Sequence, residues 1–342
     1  MEQPYDFSGR VLKDTSSAVL VLDEKGSVVY VNQPASSMLE IGEKPDGQRF
    51  ALYAEDSYND RFHEVVLNAL FNKDDTMVEK VPFMAPSGKK YVFRMSCSYL
   101  QRPEPESAEL VITLADETEA EVTKRKLRDS SRTFTMFLFV FSGWMLFYAL
   151  WEYLKRPFDP AFLTHGVEVL GLIMLAYILR FTSFTWRDLG GVGYRPWKTV
   201  KTALIVAACA FAFLCAAKAI VRLFAPTAFM PHDPFFDIRK FGYRQIAYIF
   251  TAGIQEFLAR SVMQANIKRI VDSPHNTVIA IVLSSLIFAA LHIHLGFIFM
   301  IGAAILASLE GILYEKQQNL LGVWIVHWVF GVSGTLLSLI DH

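Results

Sequence analysis

The chain has 342 residues, a formal net charge of −1 and 53% hydrophobic residues. A near-neutral balance with no basic patch interleaved with aromatics argues against a nucleic-acid partner. The apolar excess over the roughly 45–50% of globular proteins falls almost wholly after residue 132, so a soluble domain followed by a membrane domain is expected. The N-terminal MEQPYDFSGR is polar and carries an acid, unlike a signal or transit peptide, which puts the soluble part in the cytosol. Cys97, Cys209 and Cys215 have no framework or zinc-knuckle spacing and are read as small buried hydrophobes.

Residues 16–31, SSAVLVLDEKGSVVYV, predict two short strands around a turn in which Gly26 takes the positive φ. Asn32–Ile41 starts a short helix with Ala35, Met38 and Leu39 inward. A helical stripe of Phe62, Val65, Val66, Ala69 and Leu70 runs through Asp60–Phe71, and strands are expected at Thr76–Ala85, Lys90–Leu100 and Ala108–Leu114. This order, the phrase VLDEKGSVVYVNQPASSML and the exit Asp116-Glu117-Thr118 resemble a PAS sensor domain over residues 10–118. The resemblance implies small-molecule, redox or light sensing, an unidentified PAS ligand, a PAS-mediated homodimer, or simple scaffolding. No flavin-adduct cysteine motif is present. His63 stands where haem-binding relatives carry a ligand, but a lone histidine on an amphipathic helix is ordinarily structural.

Residues 119–132 are charged and helix-favouring, a signalling helix or linker between sensor and membrane. Seven apolar runs follow: Thr133–Leu154, Gly166–Thr182, Thr202–Phe224, Gln245–Ala265, Thr277–His294, Phe297–Leu313 and Leu320–Ile340. With the sensor cytosolic, Arg187, Arg195, Lys198, Lys201, Lys268 and Arg269 lie inside, as the positive-inside rule expects, while Lys155 and Arg156 fall on the opposite side. The expected fold class is an α+β domain followed by an all-α polytopic bundle in the lipid bilayer, in the cytoplasmic (inner) membrane.

Ionisable side chains at bilayer depth mark function. Gln255, Glu256, Arg260, His292 and His327 sit in three of these runs. Glu256 and Arg260 are one helical turn apart and can pair. One carboxylate and two histidines could also ligate zinc with an open position. Glu310 is a further intramembrane carboxylate with two readings, one entering the same cavity and the other, preferred, a helix-end residue near Lys316 at the cytosolic interface. His294, two residues beyond His292, is expected on nearly the opposite face. The stretch MPHDPFFD, with His232 and Asp233, reads as a proline-containing loop.

QEFLAR (Gln255–Arg260), FAALH (Phe288–His292) and HWVFG (His327–Gly331), after an upstream TWRDLGGVGYRPWKTV, resemble the Glu-Glu-x-x-x-Arg, Phe-x-x-x-His and His-x-x-x-Asn motifs of the CPBP family, the type II CAAX prenyl proteases and bacteriocin-processing enzymes. The resemblance covers residues 180–340. It implies an intramembrane endopeptidase in which a glutamate and a histidine activate water and a later histidine and asparagine stabilise the oxyanion. It requires no obligatory metal, and its substrate or partner is a peptide or membrane protein. Two positions depart from the pattern. Gln255 replaces the usual base, and an amide takes no proton near neutral pH. Gly331 replaces the asparagine donor. The alternative is a catalytically degenerate relative that keeps the fold as a sensor-coupled binding or signalling module.

Overall fold

The computed structural model describes residues 17–41, 57–73, 75–101, 108–159, 161–191, 196–224 and 234–339. The start of the expected sensor domain, Arg195, His232, Asp233 and Ile340 lie outside them. The chain separates into two compact units on either side of Lys124.

The first unit is an antiparallel sheet of β1 (Ala18–Leu22), β2 (Val28–Val31), β3 (Thr76–Met84), β4 (Lys90–Gln101) and β5 (Ala108–Asp116), in the order β2-β1-β5-β4-β3. Helices α1 (Gln33–Leu39) and α2 (Asp60–Asn72) pack on it. Gly26 has φ +77° in the first hairpin, where a β-carbon would be strained. Asn32 caps α1: its Oδ1 accepts from Ala35 N at 3.0 Å and from Val19 N at 2.9 Å, which fastens the helix to β1. The core is built on Leu20, Leu22, Phe62, Phe83, Phe93, Met95 and Ile112, with the rings of Phe62 and Phe83 5.0 Å apart. Cys97 is buried on β4, and that burial pushes its thiol up to about 11, far from the thiolate that redox chemistry uses. His63 is half-buried on α2, and burial lowers its pKa.

Thr118 ends the sheet unit. Its backbone N–H and hydroxyl both donate to Asp116 Oδ1, and its Oγ1 accepts from Val92 N at 3.0 Å. Helix α3 (Thr118–Tyr153) starts there and continues for 36 residues through the charged stretch into the first apolar run without interruption.

The second unit continues with α4 (Ala161–Phe181), α5 (Pro196–Phe224), α6 (Tyr243–Glu256), a π-helical segment (Phe257–Gln264), α7 (Ala265–Ile270), α8 (Asn276–Leu291), α9 (Phe297–Gln317) and α10 (Leu320–Leu336). α3, α5 and α9 are long and apolar enough to cross a membrane, and α8 and α10 are shorter apolar helices. Their outer faces carry large bare side chains, among them Phe139 (75% exposed), Phe213 (68%) and Ile298 (86%), an arrangement suited to lipid and unfavourable in water. Cys209 is exposed and Cys215 half-buried, against the expectation that both are buried. Lys218 of α5, by contrast, is fully buried and donates to the carbonyls of Pro234, Phe235 and Leu337, which satisfies the carbonyl just beyond α10.

α6 and α10 run antiparallel in close contact. Trp324 Nε1 donates to Ile249 O at 2.5 Å, and Trp328 Nε1 to Gln245 O at 2.8 Å, one turn back along α6. A β-carbon at Gly253 would meet the Trp324 ring at 2.7 Å, so the bare glycine sets this approach. Gly253→Ala is therefore expected to lower the thermal midpoint in detergent, since overpacking costs about 1–3 kcal/mol. Gly302→Ala on α9, with nothing within 4 Å, should leave the midpoint unchanged or raise it.

Candidate functional site

Glu256 is the last residue of α6, and beyond it the backbone widens into eight consecutive π-helical residues, all buried. Widening to i→i+5 bonds leaves carbonyls to be satisfied at its exit. Asn266 Nδ2 does this, donating to Ser261 O (3.1 Å) and Val262 O (2.8 Å). Along the inner face, Arg260 Nε donates to Glu256 Oε2 at 2.9 Å, and Arg260 Nη1 to Gln264 Oε1 at 2.8 Å. Gln264 Nε2 passes the connection to α9 through Gly311 O and Glu315 Oε1, each at 3.1 Å. Gly311 is bare where a β-carbon would lie 2.9 Å from the guanidinium.

Glu310 takes the less favoured of its two sequence readings. It is 1% exposed, and its Oε2 stands 3.6 Å from Arg260 Nη2 and 3.5 Å from His327 Nδ1. The carboxylate faces inward because α9 turns the face with Ala303, Ala307, Glu310, Gly311 and Tyr314 to the core, a stripe the strongly apolar helix hides in sequence.

His327 of α10 joins the cluster from the other side. Its Nδ1 lies 2.8 Å from Glu256 Oε1 and its Nε2 3.0 Å from Tyr248 Oη. A carboxylate only accepts, so Nδ1 carries a proton and the ring is held in one orientation. Glu256, Glu310 and His327 also form the one group of potential metal ligands among the described residues, their donor atoms within 4.8 Å of one another. Arg260 already supplies a cation to both carboxylates there. One proton, on His327 or on a carboxylate, brings the four charged groups to neutrality.

His292 follows α8 as its C-cap, because the helix ends at Leu291 rather than running on to residue 294. Its Nδ1–H donates to Phe288 O at 2.8 Å, satisfying a carbonyl at the helix end. The Phe-x-x-x-His spacing thus has a local cause, and Nε2 is left as an acceptor. The Phe288 ring packs against both imidazoles, with centroids 4.6 Å from His292 and 5.9 Å from His327. His294 is not on the opposite face, because Ile293–Leu295 is a 3₁₀ turn that folds its ring to 6.5 Å from that of His292.

Gln255 is buried, and its Oε1 has no hydrogen-bond partner among the described residues. Of the five residues singled out from sequence, Glu256, Arg260 and His327 are thus in direct contact, and His292 is joined to His327 through Phe288. Gln255 neighbours Glu256 without a bond into the cluster. Tyr248, Gln264 and Ser261 were missed; the first lies eight residues before Glu256, two turns back on the same helix, which is the signal that could have found it.

The Asp188-Leu189-Gly190 segment ties the cluster's helices together from behind. Ser261, next to Arg260, donates to Leu189 O at 2.7 Å, and Leu320 N, opening α10, donates to Gly190 O at 2.8 Å. Asp188 accepts from Lys126 Nζ of α3 at 2.7 Å, and Asp129 of α3 accepts from the Ser183 hydroxyl and backbone N–H. Burial pushes the Asp188 carboxyl up, but hydrogen bonds from Lys126 and Thr185 outweigh it and hold the group at about 2. A depressed carboxylate contributes stability above its unfolded value of about 3.9, and that contribution is lost only as pH falls toward 2.

Residues 241–333 match the family model described as "Type II CAAX prenyl endopeptidase Rce1-like". This stretch is similar to that family. The match holds Gln255, Glu256, Arg260, Tyr248, His292, His327 and Gly331. Solved structures similar to the chain include a PAS domain from a two-component sensor histidine kinase (14% identity, 33% of this chain and 95% of that one, TM-score 0.27). Two others are the PAS domain of a Colwellia psychrerythraea protein (13%, 34% and 99%, 0.30) and that of the fruit-fly ELK potassium channel (13%, 34% and 99%, 0.29). No curated relative matches the chain. The two-part fold expected from sequence, an antiparallel-sheet domain and then a helical region with membrane-capable helices, is the one observed.

Removing the guanidinium would leave two buried carboxylates facing each other. Arg260→Met is expected to destabilise the protein by about 3–5 kcal/mol, measured as thermal unfolding in detergent. Adding Glu310→Gln, which removes one of the two charges, should recover part of that loss.

Proposed function

We propose that the protein is a sensor-regulated membrane endopeptidase of the Rce1-like type, acting on a peptide or membrane-protein segment presented at the bilayer. The observation that carries this reading is the pair of fixed imidazoles. His327 is oriented by a fully buried Glu256, and His292 is oriented by its own helix end with Nε2 left as an acceptor. Both oxygens of Glu256 are engaged, by Arg260 and His327, so it orients and does not replace the missing base. Proton acceptance falls to His292. It takes a proton from water as the water oxygen bonds to the scissile carbonyl carbon, then returns it to the leaving nitrogen as the C–N bond breaks. Gln255 presents an amide oxygen that can hold a water hydrogen without taking the proton.

The sheet unit acts as a cytosolic PAS sensor, with the bundle in the cytoplasmic membrane. Supporting this are the basic residues Lys126, Arg187, Lys198, Lys201, Lys268 and Arg269 grouped around the same set of connections. The sensor's handle on the site is the polar clamp from Lys126 and Asp129 of α3, through residues 183–190, to Ser261. Asp188→Asn combined with Lys126→Ala should change turnover in the full-length protein while the bundle stays folded. An output identical to wild type would mean that the sheet unit tethers without signalling.

A second reading, a non-catalytic relative serving as a binding or signalling module, is favoured by Gln255 and Gly331. Purified protein in nanodiscs and a fluorogenic farnesylated CAAX peptide separate the two. An endopeptidase cleaves it, and His292→Ala reduces kcat by about 10²–10⁴-fold, the usual worth of a general base. Absence of cleavage, or activity that survives His292→Ala, rules out the proposed chemistry.

A further inference from the structure

Two features around His327 belong together. The motif position four residues after it is Gly331, and a β-carbon there would stand 2.4 Å from Tyr248 Cε1 and 3.0 Å from its Oη. The volume that a longer side chain at 331 would enter is therefore filled by the Tyr248 phenol. That phenol is half-buried, reaching from α6 to place its hydroxyl 3.0 Å from His327 Nε2.

The hydrogen-bond chain fixes what this hydroxyl can do. His327 Nδ1–H is committed to Glu256 Oε1. If the ring carries that proton alone, Nε2 is a lone pair and the Tyr248 O–H donates to it. If the ring carries two, Nε2–H donates to the phenol oxygen and the Tyr248 O–H points onward. In the doubly protonated state the proton that leads away from the ring is the phenol's, and in neither state can His327 present one past it. Arg260 offers no substitute, since it is 0% exposed behind Glu256, and the Gln255 amide is already given to the attacking water.

We infer that Tyr248 is a catalytic residue, the hydrogen-bond donor to the carbonyl oxygen of the scissile bond as it becomes an oxyanion, and that Gly331 is bare in order to admit it. No covalent bond to Tyr248 forms or breaks; with Nε2–H donating to the phenol oxygen, the O–H donates to the oxyanion, and the imidazolium held by Glu256 polarises it. This rests on the endopeptidase reading above and deepens it. It changes the meaning of the glycine, from a lost donor to one supplied by another helix.

The test uses full-length protein in nanodiscs, the farnesylated CAAX reporter and a phosphinate analogue of it, a non-hydrolysable mimic of the tetrahedral intermediate. Tyr248→Phe keeps the ring packing and removes only the hydroxyl. It is expected to lower kcat by about 10²–10³-fold, as loss of one oxyanion donor does, with little change in KM, and to weaken phosphinate binding by a similar factor. A wild type that cleaves and a Tyr248→Phe variant within threefold of its kcat overturn the donor role and leave the endopeptidase reading standing. A wild type that does not cleave overturns that reading, and phosphinate binding then decides the donor role separately: weaker binding in Tyr248→Phe supports it, while equal binding or none by wild type overturns it. The exchange of donors has its own readout. Gly331→Asn alone should fail to fold or function, whereas Tyr248→Ala with Gly331→Asn should exceed Tyr248→Ala in phosphinate affinity by at least about tenfold. A double variant no better than Tyr248→Ala shows that position 331 and Tyr248 do not share the task.

Discussion

A guanidinium with no exposed surface, inside a bundle whose outer faces suit lipid, cannot be left to itself. Removing a charge from water costs several kcal/mol even after relaxation, and the cost is offset only when partners meet it in good geometry. Arg260 is met by Glu256 and Gln264 from its own helix, one turn away on either side, and by Glu310 from α9. His327 of α10 closes the group on Glu256. Three stretches of chain far apart in sequence are therefore held at one register by one requirement. Gly311 belongs to the same requirement, because any side chain there would separate α9 from the guanidinium.

The staple also aims an imidazole. Glu256 serves both, with one oxygen on the arginine and the other on the imidazole, so the group that neutralises Arg260 also aims His327. His292 is oriented independently by the end of α8. Orientation thus resides in Glu256, Arg260 and the helix end, and Gln255 takes no part in it. The π-helical segment lies between the two tasks. Its inner face carries Arg260 and Gln264, and Ser261 beside them faces the Asp188-Leu189-Gly190 segment. A displacement of α3 therefore has a continuous polar route to the residue adjoining the arginine.

In the sheet unit, strands, turns and helices follow from local pattern: β-branched alternation, Gly26 and Gly88 at positive φ, and the Asn32 cap. The spacing of Glu256 with Arg260 and of Phe288 with His292 was legible too, because each is settled within one helical turn. Most of the apolar helices could be counted for the same reason, as a run of that length has few other ways to satisfy its backbone.

Facing was not legible where a helix is apolar all round. Glu310 reads as a helix-end residue until α9 is packed against the π segment, and His294 reads as pointing away until the backbone tightens into a 3₁₀ turn. Tyr248 carried no motif and lay two turns before one. Its place beside His327 depends on Gly331, far along the chain, having no side chain. Sequence by itself determined which elements form and which polar residues must be sheltered, because those follow from local propensity and the cost of burying charge. Only the tertiary structure decided which sheltered residues meet, because contact between helices is set by packing at close approach, where one β-carbon is enough to exclude a neighbour.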